Sequence, residues 1–194
     1  MTNTLSYYAI NAQDFINSTI SVDMKSIQNE FLSLLKRDSL ILDYGCGSGR
    51  DSKYFLEKGF KVEAFDGCDS FCKAASKLAG IVVKNITFSD FSEKQKYDGI
   101  WACSSLLHAQ KSELPYLLKK IEEALKLNGI FYCSFKKGKF EGERNGRYFS
   151  DFTKEELTKL VETSTNLSLV KIWMTKDARP ERNDEWINSI WRKR

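Results

Sequence analysis

The segment Leu40-Ile41-Leu42-Asp43-Tyr44-Gly45-Cys46-Gly47-Ser48-Gly49-Arg50-Asp51 constrains the fold more than any other part of this chain. A short apolar run, suited to a buried strand, passes into a loop with glycine at every second position, and the loop passes into a helix. Glycines at 45, 47 and 49 let the backbone take positive φ and leave bare main chain against which a ligand can lie. Asp43 stands at the end of the strand. A phosphate-binding loop would need a Lys-Ser or Lys-Thr pair after its last glycine, and here Arg50-Asp51 follows. The dinucleotide fingerprint spaces its glycines G-x-G-x-x-G, which is not the spacing present.

The same strand-then-helix rhythm continues along the chain. Residues 5–18, carrying Tyr7, Tyr8 and Phe15, read as a short helix or a part-ordered lead segment, and a helix is predicted at 22–36 with Asp23 as N-cap. Strand 40–43 leads to helix 50–58, which Gly59 ends. Strand 61–65 then stops at Asp66, and helix 69–78, strand 81–88 and strand 98–103 follow. Helix 111–126 shows Leu114, Leu117, Leu118, Ile121 and Leu125 on one face, ahead of strand 130–135. Such alternation predicts an α/β fold, a mostly parallel sheet with helices on both faces. After a helix at 153–163, strands at 167–174 and 185–192 are joined by about ten polar residues with no helix, too short a link for a parallel pair. The expectation is a seven-stranded sheet with an antiparallel C-terminal strand.

Length and composition add bounds. The chain has 194 residues, 42% of them hydrophobic, which suits one globular domain. No apolar run approaches the roughly 18 residues that span a bilayer, and the N-terminus lacks the basic start and apolar core of a signal peptide. Five scattered cysteines without a Cys-x-x-Cys pair, beside a single histidine, argue against zinc and for reduced thiols in a cytoplasm. A net charge of +4 permits an anionic partner without requiring one. Only Pro115 and Pro180 interrupt the chain, so no proline-rich linker divides it.

In an open α/β sheet, ligands bind beyond the carboxyl ends of the strands. The loops there carry Asp43 and Gly45–Gly49, then Asp66, which lies 23 residues beyond Asp43, then Ser89-Asp90-Phe91, then Ser104–Ala109 with His108. An acid in the position of Asp66 can accept hydrogen bonds from both hydroxyls of a ribose. His108 is the only histidine, and its ordinary pKa near 6.5 suits it to receive a proton. The stretch 136–149 is basic, as is 175–184. Lys136, Arg147, Arg179 and Arg182 are candidates to hold a carboxylate or phosphate, if both stretches reach one rim.

Asp-x-Gly-x-Gly-x-Gly at 43–49, with acids at 66 and 90, resembles class I S-adenosylmethionine (SAM)-dependent methyltransferases, most closely the small single-domain group of tellurite-resistance and thiopurine-type enzymes. The resemblance covers residues 39–135 well and the rest in outline. It implies a Rossmann-like fold, SAM as cofactor, and cofactor contacts at Asp43, Gly45, Cys46, Gly47, Gly49, Asp66, Gly67, Asp90, Phe91 and Cys103. Within these, Asp66 would bind the ribose and Asp90 the adenine amino group. Residues 1–38 would form a helical lid over a SAM-binding domain at 39–194, with Tyr7 shaping the acceptor pocket and Tyr8 and His108 as catalytic candidates. The chain lacks an Asn/Asp-Pro-Pro-Tyr/Phe element and a Pro-Cys pair, which disfavours amino-methylating and cytosine C5 DNA enzymes. The expected activity is methyl transfer to a small, anionic acceptor by in-line displacement in a desolvated pocket, by a monomer or homodimer. An RNA or protein methyltransferase, its basic rim meeting phosphates, and a non-catalytic SAM-binding protein are the alternatives. No appended nucleic-acid-binding motif favours the former.

Overall fold

A computed structural model describes residues 3–179 and 181–194. Met1, Thr2 and Pro180, which entered the readings of the N-terminus and of the prolines, lie outside the described residues. The order of elements is α1 (Asn3–Thr19), α2 (Lys25–Leu32), β1 (Leu40–Tyr44), α3 (Arg50–Glu57), β2 (Lys61–Asp66), α4 (Asp69–Ala79), β3 (Val83–Asn85), β4 (Tyr97–Ala102), α5 (Leu114–Ala124), β5 (Leu125–Lys136), β6 (Glu141–Arg144), β7 (Arg147–Ser150), α6 (Lys154–Ser164), β8 (Leu167–Lys176) and β9 (Glu185–Lys193).

The main sheet has seven strands in the order β3-β2-β1-β4-β5-β9-β8. Strands β1 to β5 pair in parallel, and β9 enters antiparallel to both β5 and β8. It follows that β8 runs with the first five strands and β9 alone runs against them in this sheet. Successive residues of each central strand point to opposite faces. Leu42, Ile100, Phe131 and Cys133 join the layer beneath α5 and α6. Their neighbours Ile41, Trp101, Ile130 and Tyr132 join Phe31 of α2 and Phe55 of α3 on the other side. Both faces are therefore dry, which is why the strands read as unbroken apolar runs.

The two helices of the segment 1–38 do different work. Phe31 of α2 is fully buried against Phe55 and Trp101. Helix α1 instead lays Tyr8, Ala12 and Ile16 on Cys68 and Phe71, over the carboxyl ends of the strands. Three local expectations differ from the structure. Helix α2 begins three residues later than predicted: its N-cap is Met24, and Asp23 accepts a hydrogen bond from the Lys25 N–H at 2.9 Å. Strand β3 is only three residues long, because Asp90 folds 87–91 into a turn by accepting from both the N–H and the hydroxyl of Thr87. The basic stretch after β5 is not a loop but the hairpin β6–β7. Its turn is Asn145-Gly146 with φ of 50° and 75°, the left-handed pair that matches strand twist in two-residue hairpins.

Candidate active site

The reversal in strand order falls between β1 and β4, whose outer neighbours are β2 and β5. Two cavities open beyond the carboxyl ends there. One, of 510 Å³, is walled by Leu5, Asp66, Gly67, Phe71, Thr87, Phe88, Ser89 and Ser105, among others. The second, of 590 Å³, is walled by Asp43, Cys46, Arg50, Cys103, Ser134, Lys136, Arg147, Phe149, Trp186 and others. Tyr8, Phe15, Gly45, Gly47, Ser104 and His108 line both.

The glycine loop is held from below. The N–H groups of Gly45 and Cys46 both donate to the Phe65 carbonyl, at 3.1 and 3.0 Å. Gly45 has φ of 78°, and a Cβ there would come within 2.7 Å of the Ser105 Cβ. Gly49, with φ of 80°, lets the start of α3 pass Ala75 of α4 where a Cβ would be 2.7 Å from the alanine methyl. No side chain fits either place. Asp66 ties the second crossover to the first: its carboxylate accepts from the N–H of Gly47 and of Cys68, each at 2.9 Å. Burial pushes the Asp66 carboxyl up to about 6, against the lowering effect of those N–H donors.

Asp43 is buried, 2% exposed, and accepts a 2.6 Å hydrogen bond from the Ser52 hydroxyl. Burial raises its pKa, and the neighbouring Asp51 charge raises it further. Burial would raise Asp51 too, but a bidentate contact from Arg50, with donors from Trp101 and Gln28, lowers it on balance. Arg50 is thus committed to Asp51, and among the described residues Asp43 has no cation of its own at ion-pair distance. The Ser105 hydroxyl is buried without a hydrogen-bond partner on the wall of the first cavity. A buried carboxylate awaiting a cation, an unpaired hydroxyl, and glycines that leave room for a ligand fit an amino acid–nucleoside cofactor.

Where the cavities meet, Tyr8 and His108 form one chain of hydrogen bonds. The His108 Nδ1 lies 2.7 Å from the Tyr148 carbonyl, which can only accept, so Nδ1 carries the hydrogen. The Nε2 then accepts the Tyr8 hydroxyl hydrogen at 2.8 Å. Burial pushes the His108 pKa down to about 4, helped by the Arg147 and Lys136 charges, so the ring is neutral at pH 7. Burial raises the Tyr8 pKa, keeping it a phenol. Burial also pushes the Cys103 thiol up to about 12, which leaves no thiolate there.

The fate of the remaining predicted residues is uneven. Lys136, Arg147, Arg179 and Arg182 all reach the wall of the larger cavity. Lys136 pairs with Asp184 at 2.6 Å, and Arg179 grips Asp177 through two 2.8 Å contacts. Tyr7 lines neither cavity and instead backs the Arg147 guanidinium, 4.9 Å from its ring centre. Asp90 and Phe91 also stand away from both walls. Asp90 is exposed and accepts from Thr87 through Oδ2 alone, and Phe91 is core, stacked on Phe65 at 5.4 Å. Thr87, Phe88 and Ser89, just before them in the same turn, line the smaller cavity. Leu5, Phe15, Ser105, Phe149, Trp186 and Asn188 were not foreseen as lining residues. The Asn-Gly pair at 145–146, the strongest short hairpin signal, would have revealed the strand that delivers Arg147 and Phe149.

Residues 41–129 match the family model for a methyltransferase domain. This stretch, 89 of the 194 residues, is thus similar to a methyltransferase domain. No curated protein matches the sequence at a significant level. Among solved structures, the chain is similar to Burkholderia thailandensis 1,6-didemethyltoxoflavin-N1-methyltransferase with 1,6-didemethyltoxoflavin and S-adenosylhomocysteine (SAH) bound. Identity is 23%, the TM-score 0.76, and the match covers 97% of this chain and 89% of that one. A TehB-like SAM-dependent methyltransferase from Corynebacterium glutamicum is 18% identical, with a TM-score of 0.72 and 98% of each chain covered. The cyclase SpnF is 12% identical, with a TM-score of 0.76, covering 97% of this chain and 94% of that one. The sheet described above is the Rossmann-like fold of these proteins. That a cyclase shares it shows why activity is argued from the site and not from the fold. No helix among the described residues is long and apolar enough to cross a membrane.

Proposed function

We propose that this protein is a class I SAM-dependent methyltransferase that acts on a small acceptor bearing an anionic group, by in-line displacement in a pocket closed by α1. The observation that carries this reading is the shared wall. The smaller cavity presents the ribose-type acid Asp66 and the aromatic edge of Phe88, and the larger presents cations and aromatic rings. The two meet at Tyr8, His108 and the glycine loop.

Asp66, Ser105 and the Thr87–Ser89 wall would hold the nucleoside part of SAM, and Asp43 would face its ammonium group. Bound SAM supplies an activated methyl group, so the protein's task is to place the acceptor and exclude water. Helix α1 does the excluding: Leu5, Tyr8 and Phe15 line the cavities from above. The neutral His108 offers one lone pair, at Nε2, and Tyr8 occupies it. An acceptor N–H or O–H entering beside Nε2 takes the place of the Tyr8 hydroxyl. A weak base suffices there, because the acceptor's proton becomes acidic only as the methyl bond forms.

The Burkholderia relative, solved with 1,6-didemethyltoxoflavin bound, supports an acceptor small enough to be enclosed. Pairing of Lys136 and Arg179 with Asp184 and Asp177 leaves the rim little net charge to offer a nucleic acid backbone. The test is incubation with methyl-labelled SAM and a mixture of small organic acids, RNA and protein extract. Label in the small-acid fraction is the expected result; label confined to RNA or protein refutes the small-acceptor reading.

A further inference from the structure

The cations around the larger cavity are not equivalent. Arg50 is matched by Asp51, Lys136 by Asp184, Lys171 by Glu30 and Arg179 by Asp177. Lys176 and Arg182 are exposed to solvent. Arg147 is the sheltered cation for which no carboxylate lies within ion-pair distance among the described residues. Its cross-strand partner Arg144 has taken the nearby acid, Asp151, at 2.7 Å.

The guanidinium of Arg147 is held by rings. Tyr7 and Phe149 lie 4.9 and 5.1 Å from it, ring centre to Cζ, and Tyr8 lies at 5.8 Å. Rings against a guanidinium strip water from its faces and leave the edges to make hydrogen bonds. One edge makes a single long contact, Nη1 to the Tyr8 hydroxyl at 3.5 Å. On the other, Nε is buried and has no partner at all. A buried charged donor without an acceptor is an expensive arrangement unless a ligand completes it. Arg147 lines the same cavity as Tyr8 and His108, so that ligand would share the cavity with the Tyr8–His108 pair.

We propose that Arg147 is the receptor for the acceptor's charged group, and that this group is a carboxylate gripped by the free Nε edge of the guanidinium. A fork of two parallel N–H donors matches the two oxygens of a carboxylate, and a lysine ammonium in its place cannot reproduce the pair. The anchored acid then presents its nucleophile toward the junction where Tyr8 and His108 stand. The inference rests on the methyl-transfer reading and adds to it the class of acceptor and the residue that selects it.

The test uses the full-length protein saturated with SAH, and three probes: benzoate, benzamide and phenyl phosphate. Binding is read by thermal shift and by calorimetry in wild type, Arg147→Lys, Arg147→Gln and Lys139→Gln, the last a matched charge loss on the exposed approach to the hairpin. Benzoate is expected to bind wild type and Lys139→Gln, at least tenfold more weakly to Arg147→Lys, and not measurably to Arg147→Gln. Benzamide is expected not to bind, and phenyl phosphate to bind more weakly than benzoate. SAH affinity should be the same in all four proteins, which also shows that the variants are folded. Equal binding of benzoate and benzamide, benzoate affinity unchanged in Arg147→Lys, a preference for phenyl phosphate, or no benzoate binding by protein that binds SAH overturns the proposal. Failure of wild type to bind SAH sinks the underlying methyltransferase reading, and this proposal with it.

Discussion

The two cavities are built from different materials. The smaller is shaped by main chain and by residues close in sequence: the glycine loop, the Asp66 crossover and the Thr87–Ser89 turn all follow the carboxyl ends of β1, β2 and β3. The larger is shaped by side chains that tertiary structure brings from far apart. Asp43, Lys136, Arg147, Arg179 and Trp186 line this cavity alone and come from β1, β5, β7, the β8–β9 loop and β9. Backbone geometry therefore fixes the grip on the cofactor, whereas the acceptor pocket depends on where α1, the hairpin and the C-terminal strands happen to meet. Damage to the first should cost stability and cofactor binding together. Damage to the second should cost turnover or acceptor binding while the cofactor still binds.

The largest break is expected on the cofactor side. Gly49→Ala forces a left-handed conformation on a residue whose Cβ would press on Ala75. Left-handed strain of roughly 1–2 kcal/mol and overpacking of about 1–3 kcal/mol add to a destabilisation visible as a large drop in Tm by calorimetry. An unchanged Tm would mean that the α3–α4 approach is looser than described. Next comes His108→Phe, which removes the Nε2 acceptor but keeps a ring in place. With SAH affinity unchanged, turnover of an identified acceptor should fall about 100-fold, the low end for loss of a general base. A proportional loss of SAH binding would instead make His108 part of the cofactor grip.

The pH dependence sharpens the same contrast. Burial raises both Asp66, to about 6, and Asp43. A ribose and an ammonium group both favour the ionised carboxylates. SAH affinity should therefore fall as pH drops through about 6, and near pH 7 binding should release protons from Asp43. Calorimetry in buffers of different ionisation enthalpy measures that release, and equal heats in all buffers would contradict it. The smallest effect is reserved for α6, remote from both cavities. Its capping box joins Thr153 and Glu156, and Thr153→Ala should cost about 1 kcal/mol in urea unfolding without touching SAH binding.

The same division explains what could be read from the sequence. The glycine loop, Asp66 and the parallel sheet with its reversed strand are written in local patterns: alternate glycines, apolar runs and the length of one polar link. The stretch around Asp90 and Phe91 was harder, because β3 ends three residues earlier than its apolar character suggests, and the turn that follows brings Thr87, Phe88 and Ser89 to the wall. The pairing of Lys136 with Asp184, 48 residues apart, has no sequence signature, since cation and acid meet only through the β5–β9 register, whereas Arg179 and Asp177 stand two residues apart in the loop that joins β8 to β9. The hairpin was legible in Asn145-Gly146, but charge in the surrounding residues obscured it.

The most direct test of the account is titration of SAH into wild type and Asp66→Asn by calorimetry at pH 7.5. Asparagine keeps the shape and loses the charge, and charge-assisted hydrogen bonds contribute about 1.5–3 kcal/mol. Binding to one site in wild type, weakened at least tenfold in Asp66→Asn, is the predicted result. No heat with wild type, or equal affinity in the two proteins, would contradict the claim that the β1 and β2 crossovers hold the cofactor.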